Sequence, residues 1–321
     1  MRTALLWLGL VACVASAPAA AADGFPSRPI TIVMGASAGG ITDVTTRFYA
    51  QAVSRELGQP VVIANKPTDA GTLAAASVQN AAADGYTLLA FQGAQHTALA
   101  AMQRVPYDPV KGFAPVTTLF TLANFLAVPA SSPANSVSEL LRLGRDKQGG
   151  LVFGSSGVGT TSHLTAARLS LSTKTPIKMV HYAGAAPMIA DLVSGRLDFT
   201  FVSYTVASAY LQQGRIKLLA VDADEHWPDR PAIPTLREAG VNQPKVASWF
   251  GLAAPAGTPD AIVRRLHDVF VKASRDPGVI KAVRESGARI VTSSPEEMAT
   301  LMEHEAAETA DLVRTLNLRS Q

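Results

Sequence analysis

Short apolar runs alternate along this chain with longer segments whose apolar residues recur at helical spacing. Glycine, proline or polar residues bound each run, which is typical of buried strands in a sheet. The pattern predicts strands at 30–34, 60–64, 86–91, 116–119, 125–128, 151–153, 177–180, 198–202, 216–221 and 249–255. Because helical segments separate most of these strands in short cycles, we expect the α/β class with parallel strands.

The first of these units joins a strand, a loop of very small residues and a helix. Ile30–Met34 is apolar except for Thr31, and the loop Gly35–Gly40 has no side chain larger than serine. A helix follows as far as Leu57, and Thr42 and Asp43 are its N-cap candidates. Such a loop presents backbone N–H groups at the positive end of the helix dipole. It therefore predicts an anion site.

The same pattern returns in the second half of the chain. Leu151–Phe153 is a predicted strand, Gly154–Gly159 a small-residue loop, and Thr160–Ser162 the cap of a helix. Ligands of open α/β sheets bind beyond the carboxyl ends of the strands. The loops that we expect to share one such edge in the first half are 35–43, 65–72 and 92–96.

Two units of this kind predict two lobes that face each other across a cleft. We expect residues 23–125 to form the first part of lobe 1, residues 126–224 to form lobe 2, and residues 225–321 to return to lobe 1. A ligand with a carboxylate at each end would then be held from both sides.

Residues 1–22 have the features of a secretory signal peptide. Arg2 is their only charge, and an apolar run and an A-x-A cleavage pattern precede Asp23. The single cysteine, Cys13, lies in this segment, so the mature protein would have no thiol nucleophile and no disulfide. We expect plain cleavage. The alternative is lipid attachment at Cys13, because the residues before it resemble a bacterial lipobox.

The composition argues against a nucleic-acid-binding protein or a metalloprotein. The 28 basic and 25 acidic residues give a net charge of +3, and no basic cluster is interleaved with aromatic residues. The histidines form no H-x-H or H-E-x-x-H pattern, so we expect no metal site. No cofactor is expected either. Ile41 stands where a P-loop has lysine, and Ser162 where a dinucleotide fingerprint has its third glycine.

A secreted serine hydrolase is the alternative from a different functional class, because Ser155 and Ser156 lie near His163 in sequence. Neither serine is in the G-x-S-x-G motif of a nucleophile elbow. A triad also needs a geometry that neighbours in a helix cap rarely supply. We therefore expect no enzyme and assign no catalytic residue.

Two polar residues have both a structural and a binding interpretation. Asp43 either caps its helix or selects a ligand that carries an ammonium or hydroxyl group. Tyr182 directly follows a predicted strand, so it either lines the cleft or contacts the ligand. Both residues are retained as candidates.

Ordered motifs along the whole mature chain resemble those of one family. They are Phe25–Ile30, Ala38–Gly40 with Asp43, Val62–Pro67, Ala83–Leu89, Ser155–Leu164, His181–Gly184, Leu218–Val221, Pro234–Gly240 and Trp249–Pro259. Each motif is weak alone, but the ordered set is specific. By these motifs the chain resembles the Bug-family solute receptors, also called tripartite tricarboxylate transporter substrate-binding proteins.

The resemblance implies a periplasmic receptor with the two-lobed, type II Venus-flytrap fold and a ligand cleft between the lobes. Such a receptor captures a small di- or tricarboxylate, or a related organic acid, for the membrane permease of a tripartite transporter, or reports it to a signalling partner. We expect a monomer. The ligand-binding positions that carry over are Ala38, Gly39, Gly40 and Asp43 in one lobe, and Ser155, Gly157, Thr160, Thr161, Ser162, Tyr182 and Gly184 in the other.

Two departures from the family's pattern leave the ligand open. The family usually has Pro-Phe where this chain has Gly35-Ala36, so an aromatic wall is lost, and Gly-Ala-Gly-Gly where it has Thr68–Gly71. A roomier pocket with an extra acid near its mouth leaves a larger, aromatic or amine-bearing acid as an alternative ligand. A phosphate receptor on the same fold is a further alternative.

Overall fold

The computed structural model describes residues 24–67, 71–228, 230–242 and 248–316, so the predicted signal peptide and Cys13 lie outside the described residues. The strands are β1 Ile30–Met34, β2 Val61–Asn65, β3 Thr87–Gln92, β4 Phe113–Leu122, β5 Asn124–Pro129, β6 Leu151–Ser155, β7 Ile177–His181, β8 Phe199–Ser203, β9 Ile216–Asp222, β10 Trp249–Pro255 and β11 Ala288–Ile290. The helices are α1 Ile41–Leu57, α2 Thr72–Gln79, α3 Gly93–Met102, α4 Val137–Asp146, α5 Thr161–Thr173, α6 Ala185–Val193, α7 Tyr204–Gln212, α8 Asp260–Ala273, α9 Pro277–Glu285 and α10 Pro295–Leu316.

The described strands form two sheets, which divide the chain into two lobes. The sheet of lobe 1 has the order β11-β4-β10-β3-β1-β2, and that of lobe 2 has the order β7-β6-β8-β5-β9. Within each sheet the strands of the predicted units are parallel: β1 pairs with β2 and β3, and β6 pairs with β7 and β8. Strands β10 and β5 join them in antiparallel fashion. The predicted α/β class is confirmed.

Strand β1 is apolar except for Thr31, because helices cover both faces of its sheet. Ile32 and Met34 are fully buried in a core that contains Tyr49 of α1. Val33, whose side chain alternates to the other face, packs in a second core with Phe91. A strand buried on both faces is an apolar run rather than an alternating one, which is why the sequence predicts it so well.

The described residues show two crossings between the lobes, at neighbouring places. It leaves the first sheet after Leu122 and enters the second at Asn124, and it returns to the first sheet at Trp249. The backbone N–H of Leu122 donates to the carbonyl of Ser248 over 2.8 Å, so the two crossing segments lie side by side. Both crossings therefore belong to one hinge.

The return to lobe 1 comes later than the sequence predicts. The expected boundary was residue 225, but Leu236 and Val241 are buried in the core of lobe 2 with Leu126 and Phe153. The segment 227–240 is rich in proline and lacks regular periodicity, so its composition indicates a linker even though its few apolar residues complete a core. The first crossing lies two residues before the expected start of lobe 2 at residue 126.

The C-terminal helix α10 packs against both lobes. Its Leu312 and Val313 share a core with Ala98 of α3 in lobe 1 and Leu164 of α5 in lobe 2. Helix α10 therefore spans the interface behind the cleft and limits how far the lobes can separate without exposing apolar surface.

Strand β4 begins at Phe113, three residues before the strand that the sequence predicts at 116–119. Pro115 discourages a strand there, since proline cannot donate to a ladder. In the structure Pro115 pairs with Ala253 next to a register shift, and β11 covers only the far end of β4, opposite residues 120–122. Pro115 therefore lacks its N–H at a point where the pairing with β10 is irregular and no strand pairs with the other edge of β4 among the described residues.

Candidate functional site

Three loops of lobe 1 meet at the carboxyl edge of its sheet, as the sequence predicts for 35–43, 65–72 and 92–96. An added Cβ at Gly35 would lie 2.4 Å from the Cα of Gly71, so the two backbones touch. An added Cβ at Gly71 would lie 3.6 Å from Nε2 of His96. This chain has Gly35-Ala36 where the motif it resembles has Pro-Phe. The backbone of Gly71 occupies the space that a side chain at position 35 would need.

This contact gives a stability prediction for the first loop. Replacing Gly35 with alanine should lower the free energy of unfolding by about 1–3 kcal/mol, because the new methyl meets backbone that cannot rotate away. Gly40→Ala is the matched control. Its nearest obstacle is the Ser37 carbonyl at 3.4 Å and its φ is −72°, so the loss should stay below about 1 kcal/mol. Urea unfolding measures both. Equal losses would contradict the Gly35–Gly71 contact.

Asp43 is committed to internal hydrogen bonds. Its Oδ2 accepts from the Gly39 N–H and from Nε of Arg47, each at 2.9 Å, and its Oδ1 accepts from Nδ2 of Asn65 at 2.9 Å. Burial raises the pKa of this carboxyl, but the bonds from Arg47, Gly39 and Asn65 outweigh it and hold the pKa below its ordinary value. The carboxylate is therefore charged and fully used within the loop.

The N-cap prediction for Thr42 and Asp43 is wrong, because the N-cap of α1 is Gly40. Asp43 occupies the third helical position and reaches back to the Gly39 N–H, much as the acid of a capping box does. Asp43 thus stabilises the start of the helix, as its structural interpretation holds, but from the third helical position rather than as the N-cap. With Gly39 N–H used in this way, the uncommitted donors of this loop are the first-turn amides of α1, at Ile41 and Thr42. Ala38, Gly39 and Gly40 are exposed beside them.

The loop after β6 in lobe 2 is held by Ser155. This serine is fully buried, and its Oγ lies 2.7 Å from Nδ1 of His181 and 3.1 Å from the carbonyl of Gly157. The Gly157 N–H in turn donates to Ser155 Oγ at 3.3 Å. Ser155 and Gly157 therefore shape the loop and leave no free donor of their own.

Hydroxyl groups form a second network at the start of α5. Thr160 Oγ1 donates to the Gly157 carbonyl at 2.7 Å and lies 3.0 Å from Ser162 Oγ. Ser162 Oγ also accepts from the backbone N–H of Ser156 at 3.3 Å. The hydroxyl of Thr161 has no partner within the described chain. The network fixes the loop, and Thr161 remains as a free donor.

The backbone amides at the start of α5 are the uncommitted ones. Thr160 is the N-cap and its side chain accepts no capping hydrogen bond. The N–H groups of Thr161, Ser162 and His163 occupy the first turn, where a helix supplies no acceptor. These three donors point along the helix axis at the positive end of its dipole, which is an anion-binding arrangement.

The hydrolase alternative finds a serine–histidine pair, but not the expected one. Ser155 faces His181, whereas Nδ1 of His163 accepts from the Gly159 N–H at 3.1 Å. Among the described residues no carboxylate hydrogen bonds to His181, and the Ser155 hydroxyl is inaccessible to a substrate. The pair therefore lacks both the orienting acid and the exposure that a nucleophile needs.

Tyr182 and Gly184 contribute to the loop through their backbone. The N–H of Tyr182 donates to the Ser155 carbonyl and that of Gly184 to the Ser156 carbonyl, at 3.0 and 3.1 Å. The Tyr182 hydroxyl donates to Asp191 at 2.7 Å. Gly184 is the N-cap of α6 with a φ of 106°, which only glycine adopts without strain.

A cavity of about 210 Å³ opens between the lobes beside the first turn of α5. Its lining comes from both lobes and from the hinge: Gln95, Asn124, Ser156, Thr160, Thr161, Ser162, Ala185, Met188, Phe201, Val202, Ser203, Val206 and Ser248. The first turns of α3, α5, α6 and α7 all contribute to it. Residues at the positive ends of four helices thus border one cavity, which favours a bound anion.

The cavity gathers only part of the predicted set. Thr160, Thr161 and Ser162 line it. Four further predicted residues of lobe 2 stabilise the adjoining loop but do not line the cavity: Ser155, Gly157, Tyr182 and Gly184. The predicted residues of lobe 1 do not line the cavity either: Ala38, Gly39, Gly40 and Asp43.

Sequence reasoning missed several lining residues. Gln95 lies in the loop 92–96 that the rule on strand ends places at this edge, but it was not named as a site residue, and Ser203 at the end of β8 could have been found by the same rule. Asn124 and Ser248 lie on the two crossing segments, and no local pattern marks them. Their place in the cavity follows from the hinge, which forms only in the folded chain.

Two kinds of feature are absent from the described residues. No group of three or more His, Cys, Asp or Glu side chains is arranged to hold a metal ion there. None of the described helices combines the length and apolar character that a bilayer span requires.

Comparison with known proteins points to one family. A sequence model described as "Tripartite tricarboxylate transporter family receptor" matches residues 45–318. The chain is similar to the UPF0065 protein in the tcbD-tcbE intergenic region of Pseudomonas sp. strain P51. The two are 34% identical over 305 residues, which cover 95% of this chain and 91% of that protein.

Two solved structures from Rhodopseudomonas palustris are similar in fold and in sequence. One, a protein with adipate, is 33% identical with a TM-score of 0.79, and the match covers 91% of this chain and 98% of that chain. The other, MatC with bound malate, is 31% identical with a TM-score of 0.76, covering 90% and 100%. The expected two-lobed fold of periplasmic solute-binding proteins is confirmed by such matches.

Proposed function

Because the chain belongs to the tripartite tricarboxylate transporter family of receptors, we propose that it captures a small organic acid and delivers it to membrane permease subunits. The observation that carries this proposal is the group of uncommitted N–H donors in the first turn of α5, which border the cavity between the lobes. A carboxylate is a fitting ligand for such donors because it accepts several hydrogen bonds and is stabilised by the helix dipole.

The first loop of lobe 1 supplies the second part of the proposed site. Ala38, Gly39 and Gly40 would approach the acid from the facing lobe, together with the free first-turn amides of Ile41 and Thr42. Asp43 would act through the loop, by holding the Gly39 N–H, rather than through the ligand. In lobe 2, Ser155, Gly157, Tyr182 and Gly184 would position the amides of α5 in the same indirect way.

The proposed site of action is the periplasm. Residues 1–22 would act as a cleaved signal peptide, and the mature protein would act as a monomer. Lipid attachment at Cys13 is the alternative, in which case the receptor would be held at a membrane surface.

The proposal predicts saturable stabilisation by organic acids. A thermal-shift panel should contain di-, tri-, amino and aromatic acids, followed by calorimetric titration of those that respond. Since a ligand that binds only the folded state stabilises it by mass action, an acid at a hundred times its Kd should add about 2.7 kcal/mol to the free energy of unfolding. A panel without any saturable response would contradict the proposal.

The same panel separates carboxylate from phosphate. The α5 amides could in principle also accept a phosphate, but a phosphate dianion brings a second negative charge that no basic side chain of the cavity lining would pair. Inorganic phosphate should fail to displace a bound acid at millimolar concentration. Full displacement by phosphate would assign the receptor to that anion instead.

A further inference from the structure

The two lobes also contact each other where helix α7 of lobe 2 begins. The hydroxyl of Thr205, in the first turn of α7, donates a hydrogen bond to the backbone carbonyl of Ser286 at the end of α9 in lobe 1. The next residue of lobe 1 is equally close, because a Cβ added at Gly287 would lie 3.2 Å from Thr205 Oγ1 and 3.7 Å from Cβ of Tyr204. The contact therefore joins the two lobes directly.

The helix ends that meet at this contact are electrostatically complementary. Ser286 is the C-cap of α9, and the carbonyls at the end of a helix have no N–H partner within it. Helix α7 begins after the N-cap Ser203, whose side chain accepts no capping hydrogen bond. The end of α9 carries partial negative charge and the start of α7 partial positive charge, so the dipoles favour the contact in addition to the hydrogen bond.

A separation of the lobes at this point must break the contact. Helix α9 is fixed in the core of lobe 1 by Val279 and Val283, and α7 is fixed in a core of lobe 2 by the fully buried Ala207. Neither helix can follow the other without leaving its own core, which would expose apolar surface to water. The hydrogen bond between Thr205 and Ser286 therefore exists only while the lobes are together.

The contact lies beside the cavity and not in it. Ser203 and Val206, on either side of Thr205 in the chain, line the cavity, whereas Thr205 and Ser286 do not. At the start of α5, lobe 2 also touches lobe 1, because a Cβ added at Gly159 would lie 3.6–3.8 Å from side-chain atoms of α3. Lobe 1 thus touches lobe 2 beside both helix starts, which is the arrangement expected of a closed receptor.

We propose that Thr205 is a closure residue, whose hydrogen bond to the Ser286 carbonyl stabilises the closed arrangement and raises the affinity for every ligand without contacting any of them. This inference rests on the proposed function and adds a determinant of affinity outside the cavity. A ligand held between the lobes binds the closed arrangement best, so an interaction present only in that arrangement strengthens all ligands by one factor. A direct contact would instead discriminate between ligands.

Thr205→Val tests the inference, because valine keeps the shape of threonine and removes the donor. Calorimetric titration with two acids of different chemical class should show Kd raised by the same factor for both, about threefold to tenfold, as expected for the loss of one hydrogen bond. The loss should appear mainly as faster dissociation in stopped-flow measurements, because the bond forms after the ligand has entered the cleft.

Thr205→Ser is the matched control, because serine keeps the hydroxyl, and it should bind within about twofold of the unchanged protein. An unchanged affinity in the valine variant, an equal loss in the serine variant, or a loss confined to one acid would overturn the inference and leave the proposed function standing. Binding of no acid by the unchanged protein overturns both. Thermal unfolding without ligand checks the fold, and Thr205→Ala, with the same expected loss, replaces a valine variant that does not fold.

Discussion

Replacing Glu305 with glutamine should make the protein more stable at pH 8 and leave its stability at pH 4.5 nearly unchanged. The Glu305 carboxyl on α10 is 7% exposed and accepts from Nε1 of Trp249 at 2.6 Å, directly behind the hinge. Burial raises its pKa to about 8 from an ordinary 4.5, and Glu308 adds to the effect while Trp249 and Arg168 oppose it. Glutamine keeps the acceptor for Trp249 and carries no charge.

The direction of this effect follows from proton linkage. Between pH 4.5 and 8 the folded protein holds a proton on Glu305 that the unfolded chain releases, so rising pH favours the unfolded chain. At 1.36 kcal/mol for each unit of pKa, the loss over this window reaches about 5 kcal/mol. The buried His96 and His163, whose pKa values burial lowers to about 4, act in the opposite direction. They are present in both proteins and cancel in the difference.

The measurement is urea unfolding of both proteins across this pH range. The difference in free energy of unfolding between Glu305→Gln and the unchanged protein should grow steadily from pH 4.5 to pH 8. Glu303→Gln, on an exposed position of the same helix, is the control and should show no such trend. A difference that stays constant with pH would mean that Glu305 is ionised in the folded protein at neutral pH.

Replacing Thr161 with proline should weaken acid binding about tenfold to a hundredfold while the fold stays intact. Thr161 is the first residue of α5, a position where proline is favoured because its missing N–H has no intrahelical acceptor. The preceding Thr160 has φ −69° and ψ 158°, which suits a residue before proline. The change therefore deletes one donor to the carboxylate. A hydrogen bond to a charged group contributes about 1.5–3 kcal/mol.

Thr161→Val separates the backbone donor from the side chain. Valine removes the hydroxyl but keeps the N–H, so its loss of affinity should be clearly smaller than that of the proline variant. Calorimetric titration with one acid compares the three proteins, and thermal unfolding without ligand should place their midpoints close together. Equal affinities for the proline and threonine proteins would mean that the Thr161 amide does not contact the acid.

The parts of the fold that sequence predicts well are those fixed by local chemistry. Ile30–Met34 and Leu151–Ser155 are short, mainly apolar segments of the kind that forms strands buried on both faces, and the small-residue loops after them lead into helices as expected. The start of α5 was predicted at Thr160–Ser162 from the same reasoning, and these residues line the cavity. The lobe 2 part of the cavity lining at the start of α5 can be predicted because it requires only the end of a strand and the start of a helix to be recognised in the sequence.

The rest depends on partners that are distant in sequence. Asp43 is a candidate ligand contact until Asn65 and Arg47 are seen to use its carboxylate. Asn124 and Ser248 enter the cavity because two crossing segments pair at the hinge. Neither arrangement has a local signal, since each arises from tertiary packing of segments whose own patterns are unremarkable.

The most direct test of the account is a crystal structure of the protein with the tightest-binding acid of the panel. We expect a carboxylate in the cavity between the lobes, with its oxygens at about 2.7–3.2 Å from the backbone nitrogens of Thr161 and Ser162. An acid bound outside this cavity, with the first-turn amides of α5 still open to water, would contradict it.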